Sequence, residues 1–190
     1  MRLFVAADLD AALRRRLGGI QQALRDIPLP VRWVRPEGIH VTFKFLGEAG
    51  AGGRPAIEAA LERAAARAAP FRLHTGGLGS FPDRGQPRVL WIGLGGDLAA
   101  AAKLHAALES EFAPLGFPIE ERTFRPHLTL GRVKGAPHGD WRPALSACPA
   151  DGLGEIAVGE CVLFESRHDR DGATYVPLRR CALPARAEGA

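Results

Sequence analysis

Two short segments of this 190-residue chain hold the side chains that acid–base chemistry requires. Residues 40–43 read His-Val-Thr-Phe and residues 127–130 read His-Leu-Thr-Leu, so the two histidines are 87 positions apart (127 minus 40). If both segments are β-strands, period-two alternation directs His and Thr to one face and the apolar residues to the other. The sequence therefore predicts two imidazoles and two hydroxyls that a fold could place around one small anion.

Two imidazoles on opposite sides of a phosphorus atom can share the proton transfers of phosphodiester cleavage. One ring takes a proton from an attacking water, and the other, when protonated, gives a proton to the departing oxygen; both forms of histidine exist near neutral pH. The hydroxyls of Thr42 and Thr129 can donate hydrogen bonds to the non-bridging oxygens as charge builds. Alternation along residues 39–46 also puts Lys44 on the face of His40, where its amine could reach the same anion.

Other site chemistries have weaker support in the sequence. Neither motif is accompanied by histidines and carboxylates at metal-ligand spacing, so we expect no metal and no other cofactor. The glycine-rich residues 76–80 lack the lysine that follows a phosphate-binding loop, which makes a P-loop a poor interpretation. One His-x-Thr segment alone is most often an ordinary piece of strand. The second copy is what makes the catalytic interpretation the stronger one.

Composition and charge fit a protein that acts on an anion. The formal net charge is +4 and the pI is near 9.4, and the planar fork of arginine matches phosphate oxygens. Codon bias in a GC-rich genome is an equally good explanation of the many arginines and alanines. Three cysteines without a CxxC pattern, and no apolar run of membrane-spanning length, predict a reduced, cytoplasmic protein that does not enter a membrane.

Apolar periodicity predicts helices interspersed with adjacent strands. Helices are expected after Asp8 or Asp10, from Pro55 and after Asp97, and residues 135–149 are expected to be a loop anchored by Trp141. The predicted strands cover residues 3–7, 31–34, 39–46, 71–78, 88–94, 127–133, 156–165 and 174–180. Many adjacent strands among helices favour an α+β fold with antiparallel sheet. Each half offers a helix, a proline-containing turn and a His-x-Thr strand, which suggests two pseudo-symmetric lobes.

Longer segments around the motifs resemble a known family. The chain resembles the bacterial and archaeal RNA 2′,3′-cyclic phosphodiesterases, also called 2′-5′ RNA ligases, of the two-histidine (2H) phosphoesterase superfamily. The resemblance extends in order over roughly residues 1–180. The matching segments are RLFVA at 2–6, IHVTFKFLGE at 39–48, PRVLW at 87–91, FRPHLTLGRV at 124–133, LFES at 163–166 and Tyr175.

The resemblance implies a bilobal α+β fold in which two antiparallel-rich sheets with flanking helices surround a central cleft. It implies a single domain of two lobes over residues 1–183. The sequence beyond this domain, residues 184–190, is expected to be a disordered tail. The implied activity is the opening of a 2′,3′-cyclic phosphate at an RNA 3′ end to a 2′-phosphate, without metal or other cofactor. The alternatives are 2′-5′ joining of RNA ends by the reverse reaction and a binding module for nucleotides or RNA ends. We expect a monomer whose partner is the RNA end.

The resemblance also implies roles for the motif residues. His40 would be the proton donor to the leaving 3′ oxygen, and His127 would be the proton acceptor that activates water. Thr42 and Thr129 would hold the phosphate. These four residues are the ones on which the predicted reaction depends.

Arginines beside the second motif are the remaining candidates for phosphate binding. The resemblance implies that Arg132 lies near the phosphate, whereas strict alternation from His127 sends it to the opposite face of the strand. Either the strand bulges or ends near Gly131, or the arginine reaches around the edge. Arg125 is the alternative phosphate partner.

Overall fold

The computed structural model describes residues 1–169 and 172–185. Within these residues the chain forms nine strands and four α-helices, which confirms the predicted α+β fold class. The strands are β1 (Arg2–Ala7), β2 (Val31–Trp33), β3 (Val41–Glu48), β4 (Phe71–Phe81), β5 (Val89–Gly96), β6 (His127–Val133), β7 (Glu155–Val158), β8 (Glu160–Asp169) and β9 (Gly172–Ala182). The helices are α1 (Ala11–Ala23), α2 (Arg54–Ala66), α3 (Leu98–Phe112) and α4 (Arg142–Ala147). Residues 186–190 of the predicted disordered tail lie outside the described residues.

The nine strands belong to one antiparallel sheet with β3 and β6 at its centre. The strand order is β7-β4-β5-β6-β3-β1-β8-β9, and the short β2 pairs with β6 farther along that strand. The contact between β3 and β6 is a single residue pair, Val41 with Leu128. The two predicted sheets are therefore two halves of one sheet, with five strands on the β6 side (counting β2) and four on the β3 side, joined at one narrow connection with a His-x-Thr motif on each side of it.

The strand predicted over residues 156–165 is in fact two strands in different halves of the sheet. β7 pairs with β4 at one edge, whereas β8 pairs with β1 and β9 near the other edge, and Gly159 alone separates them. A one-residue link can join opposite ends of a sheet only if the sheet curls until these ends approach each other. The backbone N–H of Leu183, just after β9, accordingly donates to the carbonyl of Gly159 at 2.8 Å. We propose that residues 1–183 form one domain of two lobes, because this curled sheet is continuous between them.

Alternate residues of β1 divide between the two faces of the sheet. Leu3 and Val5 pack in the main hydrophobic core, to which α1, α2 and α3 contribute their apolar faces. Phe4 and Ala6 point to the other face and form a separate small cluster with two residues of β8. The polar residues of the two motifs lie on this second face, so the sheet separates the hydrophobic core from the candidate site.

The helices follow local sequence signals with one exception. The side chain of Asp10 accepts a hydrogen bond from the backbone N–H of Leu13 at 2.7 Å, the N-cap expected of an aspartate there. The predicted loop at residues 135–149 contains the six-residue α4, which is too short to show a helical periodicity, and Trp141 just before it is buried as expected. None of the helices in the described residues is long and apolar enough to cross a membrane.

Candidate active site

An extra residue in β3 changes which side chains of the first motif face the open side of the sheet. Thr42 and Lys44 pair with consecutive residues of β1, so Phe43 has no partner in the register and forms a β-bulge. His40 and Thr42, before the bulge, are half-buried on the open face as predicted. After the bulge the alternation reverses, so that Lys44 is buried and Phe45 is 66% exposed.

Lys44 therefore lies on the core side of β3. Its Nζ atom is 2.7 Å from Oε2 of Glu109 on α3 and donates a second hydrogen bond to the carbonyl of Pro118 at 3.0 Å. The side chain is only 2% exposed. The prediction that Lys44 binds the phosphate is wrong, because alternation cannot reveal the unpaired residue that turns this side chain inward.

β6 carries an equivalent bulge one residue after its threonine. Thr129 and Gly131 pair with consecutive residues of β5, which leaves Leu130 without a partner. Gly131 is then buried, and Arg132 is exposed on the face of His127 and Thr129. The sequence left open how Arg132 could reach the face of His127 and Thr129, and the bulge in β6 brings it to that face.

A cleft of about 300 Å³ opens on the same face of the central strands. Four of the predicted site residues line it: His40, Thr42, Thr129 and Arg132. His127 precedes Thr129 by two residues on β6 and lies at the margin of this cleft, outside its lining. The two histidines are close enough that the charge of His127 lowers the pKa of His40.

His40 is held in an aromatic environment. Its ring stacks on Phe4 with 4.7 Å between the ring centroids, and Tyr175 meets it edge-on at 5.1 Å. Burial lowers the pKa of His40 to about 4, and a hydrogen bond to the backbone of Gly38 and the charge of Asp8 offset only part of this effect. In the free protein the ring is therefore neutral near pH 7.

His127 is more accessible and its orientation is fixed by one hydrogen bond. Its Nδ1 atom is 2.8 Å from the carbonyl oxygen of Arg125, and because a carbonyl can only accept, Nδ1 carries the proton of the neutral ring. The remaining nitrogen, Nε2, is then the proton-accepting atom. Burial lowers the pKa of His127, and the positive charges of Arg125 and Arg132 add to this effect although the Arg125 hydrogen bond opposes it.

The guanidinium of Arg125 lies outside the cleft. It forms an ion pair with Asp83 at 2.8 Å, and its Cζ atom lies over the rings of Phe81 and Trp91 at 5.1 and 5.7 Å from their centroids. The same aromatic pair surrounds His127, whose ring meets Phe81 edge-on at 5.1 Å. Arg125 thus holds His127 through its carbonyl, and its side chain does not line the cleft.

Several cleft residues were not singled out by the sequence. Arg32 occupies a polar position between apolar neighbours in the predicted strand over residues 31–34, but no sequence signal indicates that this strand pairs with β6. Strict alternation along residues 39–46 would direct Phe45 to the core, but the bulge interrupts this alternation. The further lining residues of this kind are Arg2, Arg35 and Lys134. Within residues 1–169 and 172–185, no group of three or more His, Cys, Asp and Glu side chains is arranged to hold a metal ion.

Comparison with known proteins places this geometry in a family. The family model described as "2′-5′ RNA ligase superfamily" matches residues 6–161. A protein from Archaeoglobus fulgidus named RNA 2′,3′-cyclic phosphodiesterase is 33% identical over 179 residues, which cover 94% of this chain and 98% of that protein. A protein of the same name from Methanothermobacter thermautotrophicus is 37% identical over 140 residues, which cover 74% of this chain and 75% of that protein.

Solved structures show the same relationship. E. coli LigT in complex with 3′-AMP superposes with a TM-score of 0.79 at 30% sequence identity, covering 96% of this chain and 97% of LigT. TT0787 of Thermus thermophilus also gives a TM-score of 0.79 at 30% identity, covering 98% of this chain and all of the other. The chain belongs to the 2′-5′ RNA ligase superfamily, and the family and LigT-like fold expected from the motifs are confirmed.

Proposed function

We propose that this chain hydrolyses the 2′,3′-cyclic phosphate at an RNA 3′ end to a 2′-phosphate, by a two-histidine mechanism that needs no metal or other cofactor. The proposal is supported by relatives that carry the name RNA 2′,3′-cyclic phosphodiesterase. The observation that carries it is the matched pair of bulged strands, each of which directs one histidine and one threonine to the same face at the centre of the sheet.

Proton transfer is divided between the two histidines in the proposed reaction. Nε2 of neutral His127 takes a proton from a water molecule as the water oxygen bonds to phosphorus. The bond between phosphorus and the 3′ oxygen breaks on the opposite side, and protonated His40 gives its proton to that oxygen. Removing one such proton-transfer group typically lowers the rate by about 10²- to 10⁴-fold.

The remaining cleft residues stabilise the charge that develops on phosphorus. The hydroxyls of Thr42 and Thr129 donate hydrogen bonds to the two non-bridging oxygens, and the guanidinium of Arg132 neutralises their charge. An anion in the cleft also favours the charged form of a nearby imidazole. Substrate binding thus raises the pKa of His40 from its low value in the free protein and favours the protonation that a donor requires.

The test is hydrolysis of an oligonucleotide with a 2′,3′-cyclic phosphate end, measured with an excess of chelator. We expect wild-type activity to persist, and His40→Ala and His127→Ala each to lose about 10²- to 10⁴-fold in kcat. The matched control is His138→Ala, an exposed histidine away from the cleft, which should leave kcat unchanged. Loss of activity to chelator alone would point to a metal mechanism, and tight binding without turnover by the wild type would indicate a binding module.

Ligation is the second candidate, because the matching family model is described by that activity. In the reverse reaction a 5′-hydroxyl replaces water and a 2′-5′ linkage forms at the cyclic phosphate. Water greatly exceeds any RNA end in concentration, so hydrolysis dominates unless the cleft holds a second RNA end. Joining of two half-molecules through a linkage resistant to a 3′-5′-specific nuclease would establish ligation.

The proposed enzyme acts in the cytoplasm as a monomer. Cys161 and Cys181 are cross-strand partners on β8 and β9, and a reducing compartment would keep both of them as thiols. Burial raises the pKa of Cys161 to about 12, so this thiol is inert at neutral pH. Light scattering on the purified chain tests the monomer, and a molar mass of about twice 20.3 kDa would contradict it.

A further inference from the structure

The cleft contains more positive charge than one cyclic phosphate requires. A cyclic phosphodiester carries a single negative charge, and in the proposed function the two threonines and Arg132 already bind it. Of the cleft-lining residues that the structure describes, none is acidic. Besides Arg132, the cleft is lined by four more cationic residues: Arg2, Arg32, Arg35 and Lys134.

Arg32 and Arg132 form the least favourable arrangement in this group. They are direct cross-strand partners in the antiparallel pairing of β2 with β6, and both line the cleft. Like charges directly opposite each other destabilise a sheet. Both side chains are exposed, and no carboxylate pairs with either guanidinium in the described part of the chain. Arg125, by contrast, has Asp83 as its partner just outside the cleft.

The packing on the back of the sheet fixes this arrangement. Gly131 is buried beneath β2, and a Cβ atom added to it would lie 2.5 Å from the side chain of Val31 and 3.2 Å from that of Trp33. Val31 and Trp33 can pack there only because Gly131 has no side chain. Since Arg32 lies between them, alternation directs it to the open face next to Arg132. The packing behind the sheet therefore keeps the backbones of Arg32 and Arg132 side by side.

Two arginines that are cross-strand partners on one face, without a carboxylate to neutralise them, can bind a second anion. Arg132 is three positions beyond Thr129 on β6, a distance of at most about 10 Å along the strand. Arg32 is the cross-strand partner of Arg132 on β2, which pairs with the same edge of β6 as β3 does, and Lys134 follows Arg132 by two positions. From a phosphate held by the threonines, the next anion along an RNA strand is the phosphodiester on the 5′ side of the terminal nucleotide.

We propose that Arg32 and Lys134, beside Arg132, form a second anion site for the phosphodiester 5′ to the terminal nucleotide. The inference rests on the proposed function and specifies its substrate class: an oligonucleotide end with a charged penultimate linkage is preferred over a mononucleotide cyclic phosphate. Arg32 and Lys134 are binding residues for the strand that leads into the cleft, and they take no part in the proton transfers.

The experiment compares kcat/KM for three substrates. These are a nucleoside 2′,3′-cyclic phosphate, a dinucleotide ending in the same cyclic phosphate, and that dinucleotide with an uncharged methylphosphonate linkage. A hydrogen bond to a charged group corresponds to about 10-fold or more in affinity. We expect the wild-type enzyme to prefer the charged dinucleotide by about this factor and to lose the preference with the methylphosphonate.

Variants assign the preference to the second anion site. Arg32→Gln and Lys134→Gln should each reduce kcat/KM for the charged dinucleotide several-fold more than for the mononucleotide, and Arg32→Lys should restore part of the loss. The matched control is Arg15→Gln, an exposed arginine of α1 outside the cleft, which should change neither value. Because Arg32→Gln also removes the contact between like charges, its Tm should not fall, unlike that of a variant with a structural defect.

The outcomes separate this inference from the proposed function. Equal losses on all three substrates in Arg32→Gln, or no preference of the wild type for the charged linkage, would overturn the second anion site while leaving hydrolysis in place. A nucleoside 2′,3′-cyclic phosphate that also carries a 5′-phosphate is a further substrate for this comparison. If its kcat/KM equals that of the charged dinucleotide, a terminal phosphate, and not a continuing strand, occupies the second anion site. Failure of the wild type to open any of the cyclic phosphates would refute the proposed function itself.

Discussion

The two motif strands have a β-bulge at the same position after the His-x-Thr motif and differ in the residues that follow it. In β3 the residue that turns back toward the core is Lys44, and in β6 it is Gly131. The next residue returns to the cleft face, where β3 presents Phe45 and β6 presents Arg132. The backbone therefore places the two His-Thr pairs in equivalent positions, and the side chains after them make one side of the cleft apolar and the other cationic.

The contacts that hold the two bulges from the core side also differ. The carbonyl of Phe43, the bulged residue of β3, accepts a hydrogen bond from Nδ1 of His105 on α3 at 2.8 Å, and Lys44 next to it pairs with Glu109 of the same helix. Behind β6, the apolar side chains of β2 pack over Gly131. One bulge is held by a polar network and the other by close packing, which shows that two unrelated sets of contacts can stabilise the same strand geometry.

The largest predicted effect concerns which histidine is the proton donor and which is the proton acceptor. His40 lies on the apolar side and has the lower accessibility, yet we propose it as the donor. With a substrate whose leaving 3′ oxygen is replaced by sulfur, the leaving group no longer needs a proton, because a thiolate is a far weaker base than an alkoxide. We expect His40→Ala to recover most of its loss of about 10²- to 10⁴-fold on this substrate, whereas His127→Ala does not. Single-turnover rates on both substrates decide the order, and recovery by His127→Ala instead would reverse it.

The polar network behind β3 should make a large contribution to stability. Lys44→Met leaves the carboxylate of Glu109 buried without its cationic partner, which we expect to cost about 3–5 kcal/mol in the free energy of unfolding. The double variant Lys44→Met, Glu109→Gln removes the charge and should recover most of the loss in a urea titration. At temperatures where Lys44→Met is folded, its kcat/KM should stay near that of the wild type. A loss as large as that of the histidine variants, without loss of stability, would mean that Lys44 reaches the phosphate.

The different surroundings of the histidines also predict the pH dependence. Burial lowers both pKa values below the ordinary 6.5, that of His40 to about 4. The two histidines together hold one proton only at pH values between their two pKa values. We therefore expect kcat/KM to peak between about pH 4 and 6.5 and to fall about tenfold per pH unit above the upper pKa. A plateau that extends above pH 7 would contradict this.

A variant on the apolar side isolates the cause of this low pKa. Phe4→Ala removes the ring on which His40 stacks and admits water, so the pKa of His40 should rise toward its ordinary value, while that of His127 stays unchanged. NMR titration of the imidazole signals measures both values. Equal shifts of the two histidines would show that the effect is not local to Phe4.

The sequence was sufficient to predict the family, the fold class and the face on which the two His-Thr pairs lie. These features follow from period-two alternation and from motif residues that are close in the chain. The inward turn of Lys44 and the division of residues 156–165 between two ends of the sheet could not be predicted. Both depend on which residue has no partner in the neighbouring strand. The alternation of polar and apolar residues in the sequence does not show where such a residue lies.

The position of Arg32 was missed for a related reason. Its place between two apolar residues correctly indicates an outward side chain, but local patterns contain no information about which strand lies next to it. The buried Gly131 is the one signal that could have been used, since a glycine inside a strand often marks close approach of another backbone. The glycine indicates where another strand packs on β6, but it does not indicate which strand this is.

The smallest effect tests the bulge directly. Uninterrupted alternation would make Phe43 and Phe45 equivalent core residues, whereas in the structure they are 2% and 66% exposed. Phe43→Ala should therefore lower the free energy of unfolding by about 3–5 kcal/mol, and Phe45→Ala should change it by about 0.5 kcal/mol or less. Parallel urea titrations compare the two variants under one set of conditions. Equal losses would mean that β3 runs without an unpaired residue, and the shared geometry of the two motif strands would then have no basis.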